Sequence, residues 1–159
     1  MSKSLNRVTG ALEAAGATFD LREMPEGTRT ARAAADAIGC DLDQIAKSVI
    51  MAAEDSRTLV LFVTAGGNFV STEAVAALLG EVAHPASGSE IRAVTGFAIG
   101  GVSPIGHLRP IRAFFDPRLT DFPTVWAAAG TPQHVFGIAP DRLRKLCKGE
   151  FAEFVTPPQ

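Results

Sequence analysis

The stretch of sequence that decides the fold is residues 47–65, KSVIMAAEDSRTLVLFVTA. Two apolar runs rich in β-branched residues, 47–53 and 58–65, flank the polar segment 54–57. Runs of this kind are typical of buried strands, and a short polar segment between two of them is typical of a turn. The stretch therefore predicts a β-hairpin.

Helix signals lie on both sides of this hairpin. Four predicted helices begin at a Ser or Thr that can cap the first turn and end at a glycine, which tolerates the left-handed conformation found after many helices. They are expected over residues 4–16, 30–39, 71–80 and 87–96, with a helical turn over 41–46 and a basic helix over 140–149. Further short strands are expected over residues 18–24, 81–84, 110–115, 124–128, 134–138 and 151–155.

These elements predict the α+β class. Short strands alternate irregularly with short helices, and the sequence has neither a regular βαβ repeat nor an internal repeat of fixed period. We expect a strongly curved mixed or antiparallel sheet, barrel-like and surrounded by short helices. At 159 residues the chain has the length of one domain, expected over residues 1–159.

Composition narrows the function classes. The net charge is −2, which argues against a protein held on nucleic acid by bulk electrostatics, although the basic helix over 140–149 could form a local patch. The two cysteines lie far apart without a CxxC motif, so we expect reduced thiols, no zinc site or other metal, and no cofactor. The N-terminal residues contain no apolar signal core, and no run is long enough to cross a membrane. A cytoplasmic location is expected.

A glycine-rich loop over residues 96–107, GFAIGGVSPIGH, is the best candidate for a binding site. Four glycines in twelve residues are expected where side chains would block the approach of a ligand. Backbone N–H groups in such a loop can hold a polar ligand or form an oxyanion hole, and a tight turn before the next strand is the alternative.

Several side chains could contribute chemistry near this loop. Lys47, at the start of the hairpin, could point into a pocket and neutralise a phosphate or polarise a carbonyl, or it could be an ordinary solvated lysine. His107 and His134 are candidate general bases, with His107 favoured by its place after the loop. Ser103 lacks the GxSxG pattern of a nucleophile elbow, and Cys147 fits the buried face of the basic helix.

Three segments together resemble a known family: residues 44–49 (QIAKSV), 95–107 (TGFAIGGVSPIGH) and 126–132 (WAAAGTP). In this order and spacing they are similar to the YbaK/ProX family of trans-editing aminoacyl-tRNA deacylases, relatives of the editing domain of bacterial prolyl-tRNA synthetase. The similarity extends over nearly the whole chain. It implies a curved mixed sheet with a pocket at one end.

The resemblance also implies a reaction. The expected activity is hydrolysis of the ester that joins a wrong amino acid to the 3′ end of a tRNA, above all the tRNA for proline. Lys47, Gly101 and Ser103 are expected to be catalytic, and the implied substrate-binding residues are Gly100, Val102, Pro104, His107, Gly130 and Thr131. The amides of Gly101 and its neighbours would stabilise the oxyanion, and the 2′-hydroxyl of the tRNA is expected to help activate water.

Pocket size is expected to set the specificity of such an enzyme. One methylene changes binding by only ~1–3 kcal/mol, so small residues such as alanine, cysteine or 2-aminobutyrate are the expected substrates. The partner is the 3′ aminoacyl-adenosine end of a mischarged tRNA, and a synthetase is left open as a second partner. Two alternatives remain: a non-catalytic module that binds tRNA or a synthetase through the same pocket, and a hydrolase that uses Cys147 or Ser103 as its nucleophile.

Overall fold

The computed structural model describes residues 2–27 and 29–156, so the outer bounds 1 and 159 expected for the domain lie outside the described residues. The α-helices are α1 (Lys3–Ala14), α2 (Ala31–Ile38), α3 (Thr72–Leu79), α4 (Gly88–Thr95) and α5 (Pro140–Cys147). The strands are β1 (Asp20–Glu23), β2 (Ala46–Ala53), β3 (Leu59–Ala65), β4 (Ala83–Pro85), β5 (Arg112–Phe115), β6 (Val125–Ala128), β7 (His134–Ile138) and β8 (Gly149–Phe151). Two 3-10 helices cover Leu42–Gln44 and Pro117–Asp121.

The strands form two sheets. One has the order β1-β7-β6, and the other has the order β4-β2-β3-β5-β8. The pairs β3–β5 and β5–β8 are parallel and all the others are antiparallel, so the predicted α+β class with a mixed sheet is confirmed. A single parallel bridge, Ile45–Trp126, links the sheets. Across the described residues the strands do not close into a barrel.

The predicted hairpin is confirmed and forms the centre of the larger sheet. Strands β2 and β3 pair antiparallel from Ala46–Ala65 to Ala52–Leu59. Because side chains alternate along a strand, Ala46 and Ile50 enter one apolar cluster while Met51 enters another on the opposite face. The hairpin is therefore buried on both faces.

Three apolar clusters pack between the layers of the fold. The largest lies between the two sheets and includes residues of α1, α4 and α5. A second lies between the larger sheet and α3, and a third lies between β6, β7 and α2. Residues 29–39 and 45–50 thus meet near the junction of the sheets, which is where the candidate site lies.

Most helix ends follow the predicted capping. Thr30 Oγ1 accepts a hydrogen bond from Ala33 N–H at 3.0 Å. Ser87 and Glu90 form the predicted capping box, with N···O distances of 2.9 and 3.2 Å. The first helix begins two residues earlier than expected because Ser2, not Ser4, caps it by accepting from Leu5 N–H at 3.1 Å.

Several strand boundaries also differ from the sequence prediction, most clearly those of β2 and β8. Ala46 belongs to β2 because it pairs with Ala65, although the sequence placed it in a helical turn. The last strand covers residues 149–151, not 151–155, because the chain reaches β5 directly after α5. Phe154 is instead fully buried in the cluster beneath α3.

Candidate functional site

A cavity of about 380 Å³ lies beside the edge of β2. Strand β4 pairs with β2 only from Met51 to Ala53, so residues 46–50 have no paired strand on that side among the described residues. The chain turns away at Pro85 and Ala86, and the gap that it leaves is the cavity. The volume lies within the range of about 300–1,000 Å³ that is usual for small-molecule sites.

Five elements build most of the wall of this cavity. The edge of β2 supplies one side, strands β6 and β7 supply the apolar floor, and the start of α2 and the glycine-rich loop supply the remaining sides. The lining includes Thr30, Ala34, Ile45, Ile91, Ile99, Gly100, Val102, Trp126, Ala127 and Val135. Most of these groups are apolar, so a bound ligand would lose much of its contact with water.

The glycine-rich loop packs directly on the turn after β6. A Cβ on Gly101 would lie 2.8 Å from the Cα and carbonyl carbon of Thr131, so only glycine allows this approach. Gly130 is packed in turn on α1, because its Cβ would lie 2.7 Å from the carbonyl oxygen of Ser4. Gly101, Gly130 and Thr131 therefore support the cavity wall from behind.

The backbone N–H groups of this loop differ in whether they have a hydrogen-bond acceptor. Gly101 N–H donates to Ala98 O at 3.1 Å and closes a turn within the loop. Among the described residues, the N–H groups of Gly100 and Val102 have no acceptor, and both residues line the cavity. The structure therefore assigns the free amides to the two neighbours of Gly101.

Two of the predicted substrate-binding residues lie elsewhere. Pro104 and His107 line a second cavity of about 350 Å³, together with Cys147. His107 Nε2 lies 2.7 Å from the carbonyl oxygen of Ser103. Burial lowers the pKa of His107, which leaves the ring neutral near pH 7 with Nε2–H as the donor.

Ser103 is fully buried inside the loop. Its Oγ accepts a hydrogen bond from Ile105 N–H at 3.2 Å, so the hydroxyl shapes the Ser103-Pro104 turn. Ser103 does not line the main cavity. The sequence could not show this, because the spacing of a loop does not reveal which side of it a hydroxyl faces.

Lys47 lies on the rim of the main cavity. Its Nζ donates to Asn68 O at 2.7 Å and lies 4.7 Å from the centre of the Phe69 ring. Burial lowers the pKa of Lys47, and the carboxylates of Asp43 and Asp116 raise it in part. Lys47 thus lines the main cavity, while its ammonium contacts Asn68 and Phe69, two residues that line a further cavity.

Sequence reasoning missed Ser48, which follows Lys47 on β2. Its Oγ is buried and has no hydrogen-bond partner among the described residues, and Ser48 lines the main cavity. A buried hydroxyl without a hydrogen-bond partner is costly. Strand alternation could have placed Ser48 on the same face of β2 as Ala46 and Ile50, opposite to that of Lys47.

Nucleophiles, bases and metal ligands are scarce at this site. The described residues that line the main cavity include no Asp, Glu, His or Cys. No group of three or more such residues in the described part of the chain could hold a metal ion. Burial raises the pKa of Cys147 to about 11, so its thiolate is rare near neutral pH.

The basic C-terminal helix is engaged in part within the fold. Arg144 and Lys145 each pair with Asp141 at 3.1 Å. Arg142 donates to the backbone oxygen of Ala15. Helix α5 therefore presents less free positive charge than its sequence suggests. In the described ranges, no helix has the length and apolar character needed to cross a bilayer.

A model of the aminoacyl-tRNA editing domain family matches residues 25–146 of the chain. The chain belongs to this family. The expected likeness to the YbaK/ProX proteins is thereby confirmed, and the match includes Lys47, the glycine-rich loop and Thr131.

Individual proteins are similar to this chain over most of its length. The crystal structure of a candidate trans-editing enzyme for prolyl tRNA synthetase is 39% identical, covers 99% of both chains and has a TM-score of 0.91. A structure from computational grafting of epitope backbones onto scaffold proteins is 36% identical over 99% of this chain and 100% of its own, with a TM-score of 0.90. The uncharacterized protein YwhH of Bacillus subtilis (strain 168) is 31% identical over 127 residues, which is 80% of each chain.

Proposed function

We propose that this editing domain is an aminoacyl-tRNA deacylase that hydrolyses the ester of a mischarged tRNA in trans. One observation carries the proposal: a largely apolar cavity is lined by Lys47 and by Gly100 and Val102, whose N–H groups have no acceptor among the described residues. An apolar wall suits a small amino-acid side chain and the face of an adenine. The amides and the ammonium suit the ester and the charged backbone of the tRNA end.

The reaction needs little from the enzyme, because an aminoacyl ester is already activated. A water oxygen adds to the ester carbonyl carbon, and the bond to the 3′ oxygen then breaks. One proton of that water ends on the 3′ oxygen, and the amino acid leaves as a carboxylate with release of the second proton. The cavity lining offers no carboxylate or imidazole as a base within the described residues, which favours help from the 2′-hydroxyl of the substrate.

In this proposal the N–H groups of Gly100 and Val102 stabilise the oxyanion, and Lys47 neutralises the phosphate of the terminal nucleotide at the rim. Gly101 and the turn at Gly130 and Thr131 keep the two amides in place from behind.

The proposal gives Ser103, Pro104 and His107 a role in shaping the loop. The Ser103 hydroxyl and the His107 ring each hydrogen-bond within residues 103–107. A reacting water in the main cavity would lie on the other side of this packing, so we assign these residues no part in the chemical step.

We further propose that the substrate is a tRNA for proline carrying alanine, cysteine or 2-aminobutyrate. The similarity to a candidate trans-editing enzyme for prolyl tRNA synthetase supports the choice of tRNA. The small apolar cavity supports the choice of amino acid, since a wall excludes a larger side chain more readily than it distinguishes two small ones. We expect one functional domain over residues 1–159, acting in the cytoplasm, with a synthetase as a possible second partner.

A deacylation panel tests the proposal. Purified protein is incubated with tRNA for proline and tRNA for alanine, each charged with alanine, cysteine, 2-aminobutyrate, serine or proline. We expect release of a small amino acid from the tRNA for proline. Lys47→Ala should lower the rate at least tenfold without unfolding the protein. Lys145→Ala is the matched control, because that lysine is exposed and paired with Asp141 on α5.

Two results would contradict the proposal. Unchanged turnover in Lys47→Ala would remove the role of the ammonium. Saturable tRNA binding with no ester cleavage across the panel would favour the non-catalytic binding module instead.

A further inference from the structure

The position of the Lys47 ammonium depends on the loop between β3 and α3, residues 66–71, which we call the β3–α3 loop. Two groups of this loop contact the ammonium: the carbonyl oxygen of Asn68 at 2.7 Å and the ring of Phe69, with its centre 4.7 Å away. Both groups line the neighbouring cavity. The ammonium is therefore held by two groups that do not line the main cavity.

The exposure of Phe69 points to a function for its ring. The residue is 69% exposed, the highest value among the large hydrophobic residues described as exposed. Burial of apolar surface therefore does not explain a phenylalanine at this position. A cation over an aromatic face is attracted by the ring quadrupole, so contact with Lys47 gives this exposed ring a physical role.

A buried carboxylate braces the same loop. Asp116 is 3% exposed, and its Oδ2 accepts hydrogen bonds from Asn68 Nδ2 at 2.8 Å and Ala65 N–H at 3.0 Å. The hydroxyl of Thr64 donates to the same oxygen at 3.2 Å. The side chain of Asn68 is thus fixed on Asp116 while its backbone oxygen holds Lys47.

The 3-10 helix before β2 holds the first residues of the loop. Gly67 N–H donates to the Asp43 carboxylate at 2.8 Å. A Cβ on Gly66 would lie 2.1 Å from the carbonyl oxygen of Leu42, so the two segments touch through their backbones. Its later part is held by the C-terminal segment, because Thr156 N–H donates to Phe69 O and Ser71 N–H donates to Phe154 O, both at 2.7 Å. The β3–α3 loop is accordingly fixed along its length, and a loop fixed in this way can orient the ammonium that it contacts.

We propose that the β3–α3 loop positions Lys47 for deacylation, with Phe69 and Asn68 as positioning residues and Asp116 as their brace. The proposal rests on the proposed function, because it assigns the loop a role through Lys47. It holds the positive charge against Asn68 and Phe69, next to the main cavity that Lys47 lines, so that the charge can meet the phosphate of the terminal nucleotide. In this proposal neither the two positioning residues nor the brace contacts the reacting ester.

The test observes Lys47 directly and does not depend on activity. The chain contains four lysines, at positions 3, 47, 145 and 148, so ¹³C reductive methylation gives few signals, and Lys47→Arg identifies the one from position 47. In the native protein the ring current of Phe69 should shift this signal upfield. Phe69→Leu should abolish the shift, and Phe69→Tyr should retain it.

A matched control comes from Phe151. This residue is 50% exposed and lies beneath Arg144, with 4.8 Å between the guanidinium carbon and the ring centre, away from the main cavity. Phe151→Leu should leave both the Lys47 signal and the deacylation rate unchanged. Phe69→Leu should lower kcat about two- to fivefold, the effect of one exposed cation–π contact, and Phe69→Tyr should restore it.

Asp116→Asn tests the brace. The carboxylates of Asp43 and Asp116 both raise the pKa of Lys47 against the lowering by burial, and Arg118 pairs with Asp43 at 3.1 Å. Loss of the Asp116 charge should therefore lower the pKa measured by NMR titration of the Lys47 signal. If this variant does not fold, the Phe69 variants decide the question, since their site is exposed.

The outcomes separate the two proposals. A Lys47 signal that is the same in Phe69→Leu and native protein would overturn the positioning role, and so would a lost shift with unchanged kcat. If native protein cleaves no mischarged tRNA while the Lys47 signal responds as expected, the proposed function fails and the catalytic meaning of the positioning fails with it. The loop contact itself would then stand as a structural result.

Discussion

Gly101→Ala is the substitution that best separates packing from chemistry in this site. The new Cβ would lie 2.8 Å from the Cα and carbonyl carbon of Thr131 and 3.0 Å from its nitrogen. The φ angle of Gly101 is not among the positive ones, so the cost is steric and not conformational. Ordinary contacts begin at 3.4 Å, so the loop or the turn must move by about half an ångström.

The turn has little room to retreat, because Gly130 is packed against the Ser4 carbonyl of α1. Overpacking of this kind costs about 1–3 kcal/mol of unfolding free energy. For a chain of this length that corresponds to a fall in Tm of roughly 2–12 °C. Displacement of the free amides by half an ångström should lower the deacylation rate about tenfold, since a misplacement of 1 Å can cost about a hundredfold.

Thermal unfolding and single-turnover deacylation check these values together. Gly10→Ala in α1 is the control, because nothing lies within 4 Å of its Cβ and the helix interior favours alanine. It should raise stability by about 0.5–1 kcal/mol and leave the rate unchanged. The packing argument would be refuted by a Gly101→Ala protein with a Tm within 1 °C and a rate within about twofold of native.

Three further predictions concern buried polar groups. Asp116→Ala should lower the unfolding free energy by at least about 2 kcal/mol in urea denaturation, because four donors lose their acceptor; a smaller loss would argue against the brace. Lys47→Met should not destabilise the protein at pH 7. Burial lowers the pKa of Lys47, so its charge costs stability below that pKa, and the cost disappears as pH rises towards the unfolded value of 10.5; native protein should therefore gain stability relative to the variant between pH 7 and 10.5. At pH 7 iodoacetamide should leave Cys147 unmodified by mass spectrometry, because the thiol is buried with a pKa of about 11, and modification there would contradict its burial.

Local signals in the sequence account for most of the secondary structure. The hairpin, the helix after Thr30 and the capping box at Ser87 depend on neighbours within a few residues, so their patterns predict them directly. The first helix shows the limit of this reasoning. Ser2 and Ser4 are both good caps, and the choice between them depends on where the whole helix packs.

Local patterns do not predict in the same way which residues of the loop line the cavity. The sequence associated Lys47 with the glycine-rich loop, and Lys47, Gly100 and Val102 line one cavity in the structure. It did not separate these residues from Ser103 and His107, which lie in the same loop by sequence but face other surroundings. The direction of a side chain in an irregular loop has no fixed period, so spacing alone cannot predict it.

The sequence by itself determined the strands, the capped helices, the glycine-rich loop and the family, because each depends on local backbone preference or on a motif. Only the tertiary structure decided that the Gly101 amide is taken by Ala98, that the Lys47 ammonium binds the Asn68 carbonyl and that Asp116 binds the Asn68 side chain. These outcomes depend on contacts between segments that pack across the fold or on how a loop closes upon itself. Such contacts form only when the strands and loops come together, so local sequence patterns do not specify them.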